Sequence, residues 1–397
     1  MSTPSSSIFA REILYEIVGH LHGDTETVKT LSVVSSSFLP ICREVLFYSL
    51  RLTIQNCARW NRYLSASPSI GNSIQEVEVE VKALLSAGEQ QVMFVLDRVT
   101  GPRMIAFRMF NYALLDWPTV PRWFQDALLR TLSTPSIRRV DISRFSNLPI
   151  SLLSGLPHLR KLQLRCCSFP TPTIPTPTSN VELRSSGPQV PKTRVDALHV
   201  NTAGRSYGQL ECALDQWIGH LDFPLDLTHL ASLYIDVEQR NEGKVQDLLR
   251  MCGQSHLSLS MRGGSICLEH LSALCVLQFC ICIMHGTGGH AIGTFPGLFR
   301  TLKSLESNEH PPKEIIIAAF LELDEFSTIP MNHWEDFDSH LVKLSPITVR
   351  IITTCRSTRP GGMPDWSLLL PSLSESGRLI SEWQSHEWCY KLLAQHY

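Results

Sequence analysis

Charge is scarce in this chain. Only 18% of its 397 residues are Asp, Glu, Lys or Arg, and the net charge is −2, so no strong field of either sign draws it to nucleic acid or to an anionic membrane surface. Long apolar runs are missing as well. The longest, "LCVLQFCICIM" (Leu274 to Met284), has about half of the roughly 20 residues that a spanning helix needs and reads as a buried strand. The first residues, "MSTPSSSIFARE", have neither the basic n-region nor the apolar h-region of a secretory signal, which points to cytoplasm or nucleus. Twelve cysteines in a chain of this length do not make a disulfide scaffold; reduced, they read as small buried hydrophobes. Also missing are G-x-S-x-G, G-x-x-x-x-G-K-[ST] and H-E-x-x-H, the spacings that set up a serine nucleophile, a phosphate cradle and a zinc-bound water. The expectation is a non-enzyme without cofactor, and with neither nucleic acid nor membrane as partner.

What is present begins with three short helices in the first fifty residues. In "AREILYEIVGHL", Ile13, Leu14, Ile17 and Leu21 have the spacing of an apolar helix face. Gly23 ends this helix and Asp24 is placed to accept backbone N–H bonds at the start of the next. A third runs near Ser37 to Tyr48, with Ser37 as N-cap and Pro40 in the first turn, where its missing N–H costs little. Such a bundle of about 45 residues is marginal alone.

Beyond it, strand-like runs recur: "NSIQEVEVEVK", "RMIAFRMFNYALL", "SIRRVDISRF", "LRKLQLRCC", "RVDALHVNT", "LASLYIDVE", "SHLSLSMRG", "LCVLQFCICIM", "PKEIIIAAFLE" and "PITVRIITTC". They start about 20 to 37 residues apart, near the leucine-rich-repeat period but irregular. Between them lie helix-like pieces such as "VPRWFQDALLRTLS", "EGKVQDLLRMC", "FPGLFRTLKSLES" and "HWEDFDSHLVKL". Strand followed by helix, repeated, predicts parallel strands with helical returns, as a solenoid or an open α/β sheet. The clearest repeat is "LPHLRKLQLRCC", whose L-x-x-L-x-L spacing turns Leu156, Leu159, Leu162 and Leu164 inward and leaves Arg160, Lys161, Gln163 and Arg165 to solvent. Ser168 to Thr193 carries six prolines and no periodicity, so it reads as an insertion. "ESGRLISEWQSHEWCYKLLA" reads as a closing helix.

Three motifs offer chemistry, each with a plainer meaning. "HGTGGH" (His285 to His290) is like a glycine-rich oxyanion loop but has no nucleophile elbow beside it. Cys280, Cys282, His285 and His290 have a zinc-compatible spacing, but alternate cysteines in an apolar strand are core fillers, and no metal is expected. In "EVEVEVK", Glu76, Glu78 and Glu80 share one strand face and Val77, Val79 and Val81 the other. That pattern suits a half-buried strand, or an acidic strip for a basic partner.

The stretch Phe9 to Leu52, "FAREILYEIVGHLHGDTETVKTLSVVSSSFLPICREVLFYSLRL", resembles the F-box-like segment of a large, chiefly mushroom-type fungal family. The usual form there is a Leu-Pro-x-Glu-Ile start, a Cys-x-x-Val-Cys-x-x-Trp centre and a closing arginine-rich helix with Leu-Phe. Glu12, Ile13, Ile17, Val34, Leu39, Pro40, Leu46 and Phe47 fit it. Phe9-Ala10 stands where Leu-Pro is usual, Leu31 and Ser35 replace the cysteines, and Phe38 replaces the tryptophan. The runs from Val120 to Phe169 and from His333 to Leu344 are similar to the irregular leucine-rich region that follows in this family. The resemblance implies an F-box-like three-helix unit at 1–53 and an irregular leucine-rich-repeat-like α/β solenoid of parallel strands and helices at 54–397, with the insertion at 168–193. It also implies a role: the helical unit docks on the Skp-type adaptor of a cullin-RING ubiquitin ligase and the repeats hold a protein substrate of unknown identity. Phe9, Ala10, Glu12, Ile13, Ile17, Val34, Phe38 and Leu39 would lie at or near that adaptor interface, with packing inside the unit as the alternative for each. The other reading is an F-box-derived leucine-rich-repeat scaffold for protein–protein interaction outside any ligase.

Overall fold

The computed structural model describes residues 11–21, 23–53, 55–81, 89–109, 114–154, 156–170, 192–201, 224–236, 242–252, 257–262, 264–272, 274–283, 288–321, 331–344, 346–355 and 364–383. The chain divides into two compact units, Met1–Phe145 with Leu156–Leu159, and Ser146–Gly155 with Arg160–Tyr397.

The first unit opens with helices α1 (Arg11–His20), α2 (Thr25–Val34) and α3 (Leu39–Leu46). Leu14 and Val18, one turn apart on α1, meet Val28 of α2 and Ile41 and Cys42 of α3 in a core of their own, with Leu21, Leu31, Phe38, Val45 and Leu46 around it. Asp24 caps α2, accepting from the Thr27 backbone N–H at 3.1 Å and from the Thr27 hydroxyl at 2.6 Å. These bonds hold its carboxyl below the usual aspartate value. The Ser37 cap does not form. Phe38 is the residue before α3 and gives no side-chain cap, while the Ser35 hydroxyl takes the Ser37 N–H at 3.2 Å, so the serine two positions earlier organises this turn.

Four parallel strands follow: β1 (Ser49–Leu52), β2 (Glu76–Glu80), β3 (Met104–Arg108) and β4 (Arg139–Ser143). Their registers align Leu50, Val77, Ile105 and Val140 in one row and Leu52, Val79, Phe107 and Ile142 in the next, and all eight side chains are buried. Each such side chain contributes about 1.5–3 kcal/mol when taken out of water. Helices α4 (Cys57–Ala66), α5 (Ile70–Ser73), α6 (Glu89–Arg98) and α7 (Arg122–Leu132) connect the strands. Phe124 of α7 meets Phe107 of β3 edge to face, with ring centroids 6.1 Å apart.

The second unit continues the pattern with β5 (Lys161–Arg165), β6 (Ala197–Asn201), β7 (Ser232–Asp236), α8 (Glu242–Met251), β8 (Leu257–Arg262), β9 (Leu274–Ile283), α9 (Gly288–Glu306), β10 (Glu314–Leu321), α10 (Met331–Lys343) and β11 (Thr348–Cys355). Leu162, Leu198, Leu233, Leu259, Leu277, Ile315 and Val349 form a single register row across seven parallel strands. Leu164, Val200, Ile235, Met261, Phe279, Ile317 and Ile351 form the next. This is a leucine-rich-repeat-like α/β array of parallel strands and helical returns.

The closing helix expected from Glu375 is corrected. Gly377, at φ +67°, turns the chain after the short helices α11 (Trp366–Leu369) and α12 (Pro371–Glu375), and β12 (Leu379–Trp383) runs parallel to β11 with Leu379 beside Val349. The remainder of that stretch lies outside the described residues. At the ends of the expected proline-rich insertion, Ser168 and Phe169 are buried and the Thr193 hydroxyl donates to the Leu153 carbonyl at 3.0 Å. Residues 171–191 lie outside the described residues. Helices α4 and α6 were not expected.

Candidate docking surface

The strands have a second face, opposite the leucine rows, on which charged side chains pair across neighbouring strands. Arg51 pairs with Glu78 at 3.4 Å, Arg108 with Glu78 at 3.1 Å and Arg108 with the buried Asp141 at 3.3 Å. Glu78 of the β2 strip thus ties β1 to β3, and Arg108 carries the link on to β4 through Asp141, as opposite charges on adjacent strands do. In the second unit Arg350 bridges Glu314 at 2.9 Å and Glu382 at 3.1 Å. Gln163, expected in solvent, is fully buried; its amide nitrogen lies 2.8 Å from His199 Nδ1, and the His199 ring sits 4.1 Å from that of Tyr234. A buried amide costs little once bonded, which is why a polar residue tolerates this position. Cys280 of the zinc-like motif packs with Tyr234 and Ala318 in a buried cluster; the side chains of Cys282 and His290, and the whole of His285, lie outside the described residues.

Exposed apolar surface concentrates instead on the three-helix unit. Helix α1 carries two apolar stripes. Leu14, Val18 and Leu21 turn to the core, and Ile13 and Ile17, each one residue out of phase, turn to water with 45% and 37% of their surface exposed. At the end of α2, Val33 and Val34 are 83% and 68% exposed. Ile13 and Ile17, expected on one face with Leu14 and Leu21, therefore form a separate outward face. Glu12 is exposed next to this stripe, and Tyr15, half-exposed, donates its hydroxyl to Glu44 of α3 at 2.7 Å. Of the remaining expected interface residues, Phe38 packs partly buried against the Leu14–Val18 core and Leu39 is half-buried in the first turn of α3. Phe9 and Ala10 lie outside the described residues. Val33 and Tyr15 were not anticipated; only the phase of Leu14 and Val18 against the core marks which neighbours must point outward.

No family model matches this chain, and no curated protein matches it. Among solved structures it is similar to the leucine-rich repeat-containing protein LegL7 from Legionella pneumophila, at 14% identity and a TM-score of 0.40, over 83% of this chain and 90% of that one. At that level the strand registers above, not the likeness, define the array.

Proposed function

We propose that the protein is a substrate-recognition adaptor: its three-helix unit docks on a Skp-type adaptor of a cullin-RING ubiquitin ligase and its repeat array holds a protein substrate. Such a protein performs no chemistry; it raises the effective concentration of a substrate lysine near the ubiquitin-carrying enzyme. What supports the reading is the outward stripe of Ile13 and Ile17, with Val33 and Val34, on a unit whose own core is already complete without them. Apolar side chains left in water on a helix face are characteristic of a surface that a partner buries. The array offers rows of strand and loop positions for a protein ligand.

The test is co-elution of the purified chain with a purified Skp-type adaptor. The reading expects a complex that Ile13→Glu with Ile17→Glu abolishes and that Phe9→Leu with Ala10→Pro strengthens. Failure of both the wild-type chain and the Phe9→Leu/Ala10→Pro variant to capture the adaptor sinks it. The Phe9-Ala10 start favours a second reading, an interaction scaffold outside any ligase, which that same failure would leave standing.

A further inference from the structure

The helix α4 presents a face complementary to the outward face of α1. On α4, Arg59 and Arg62 are one turn apart and both exposed, with the small side chains of Ala58, Ser65 and Ala66 between and beside them. Arg62, together with Ala58, Asn61, Ser65, Ala66 and Gln91 of α6, lines a shallow cleft of about 650 Å³. Arg59 is held in place by Tyr63, donating from Nε to the Tyr63 hydroxyl at 2.9 Å with its guanidinium 5.2 Å from the ring centroid. Tyr63 meets Trp60, and Trp60 meets Phe47, each edge to face with centroids 6.1 Å apart. Arginine, tyrosine and tryptophan around small residues are the composition of an interface centre. Neither arginine is in an ion pair among the described residues.

On α1, Glu12 and Glu16 are one turn apart and exposed; they border the Ile13 and Ile17 stripe, with Glu16 one turn from Ile13. Neither glutamate is in an ion pair among the described residues. Two carboxylates one turn apart, bordering two isoleucines, on one helix match in charge sign two guanidiniums one turn apart, beside alanines and a tyrosine, on another. Small residues on α4 let a second helix approach closely enough for its isoleucines to be covered.

The geometry points to a second copy of this chain as the occupant: α1 of one copy lies on α4 of the other, and reciprocally, closing a two-fold dimer. Glu12 and Glu16 pair with Arg59 and Arg62 of the second copy, and Ile13 and Ile17 enter the cleft beside α4. The contact uses the α1 face assigned above to adaptor docking but does not depend on that assignment, and self-association and adaptor capture become mutually exclusive.

The test is sedimentation of the full chain alone at high micromolar concentration and low salt. A dimer is expected, weakening as salt is raised because its ion pairs are screened. Arg59→Glu with Arg62→Glu, and separately Glu12→Arg with Glu16→Arg, should each weaken it at least about tenfold. Mixing the two variants in equal amounts should restore it, since each α1 then faces an α4 of opposite sign. Unchanged circular dichroism separates lost pairing from lost folding. A monomeric wild-type chain, a dimer indifferent to both variants and to salt, or variants of native dichroism that fail to pair on mixing would each overturn the inference. None of these results involves the adaptor, so they leave the docking reading to its own test.

Discussion

At Gly71 an added Cβ would lie 2.1 Å from the carbonyl oxygen of Arg98, and at Gly297 it would lie 2.1 Å from that of Gly264. Both obstacles are backbone, which cannot rotate aside. Gly71→Ala and Gly297→Ala should each destabilise the chain by about 1–3 kcal/mol in urea unfolding. Gly19→Ala meets nothing within 4 Å and, lying on a helix, should be neutral or stabilising by up to about 1 kcal/mol. Burial acts differently on Cys252, whose thiol it pushes up to about 12 from an ordinary 9.0. The folded chain keeps this thiol protonated, so its contribution to stability is full below pH 9 and is lost as the pH rises from there toward 12. Iodoacetamide at pH 8 should therefore label the half-buried Cys267 and Cys275 well before Cys252; equal rates would contradict the packing around α8.

Elements are joined by side chains acting across them. Asp338 of α10 is buried and accepts from the backbone N–H groups of Ser372 at 2.8 Å and Leu373 at 3.0 Å, capping α12 from another helix. Asp338→Ala strands both donors and should cost about 2 kcal/mol; protection of the β12 amides against hydrogen exchange should fall with it. This scale also decides what the sequence could disclose. Alternation in "EVEVEVK" and the leucine spacing in "LPHLRKLQLRCC" are local, and the strands they predict are present. The burial of Gln163 is not legible in the sequence, because its partner, His199, is 36 residues away and no window of sequence reports that bond. The strand at the start of the closing segment is not legible locally, because "SGRLISEW" is too short to separate the two periods; its strand state is set by β11, onto which Leu379 is registered. Helix α4 is hard to read from sequence because four of its ten residues are arginine, asparagine or serine, and its apolar face is only Cys57, Trp60 and Leu64.

For the molecule as a whole, the parallel rows of leucine, isoleucine and valine account for the array, and the three-helix core accounts for the amino-terminal unit. The candidate site was legible in part. Glu12, Ile13, Ile17 and Val34 were named from the sequence and are exposed, whereas Phe38 faces inward, because helical phase is fixed by the core that Leu14, Val18, Val28, Ile41 and Cys42 build together. The central claim is that the outward stripe of α1 and the end of α2 are covered by a Skp-type adaptor. Hydrogen exchange of the chain with and without a saturating amount of purified adaptor tests it most directly. The account predicts added protection confined to Arg11–His20 and Thr25–Val34. Protection falling on the β5–β11 array instead, or none at all, would contradict it.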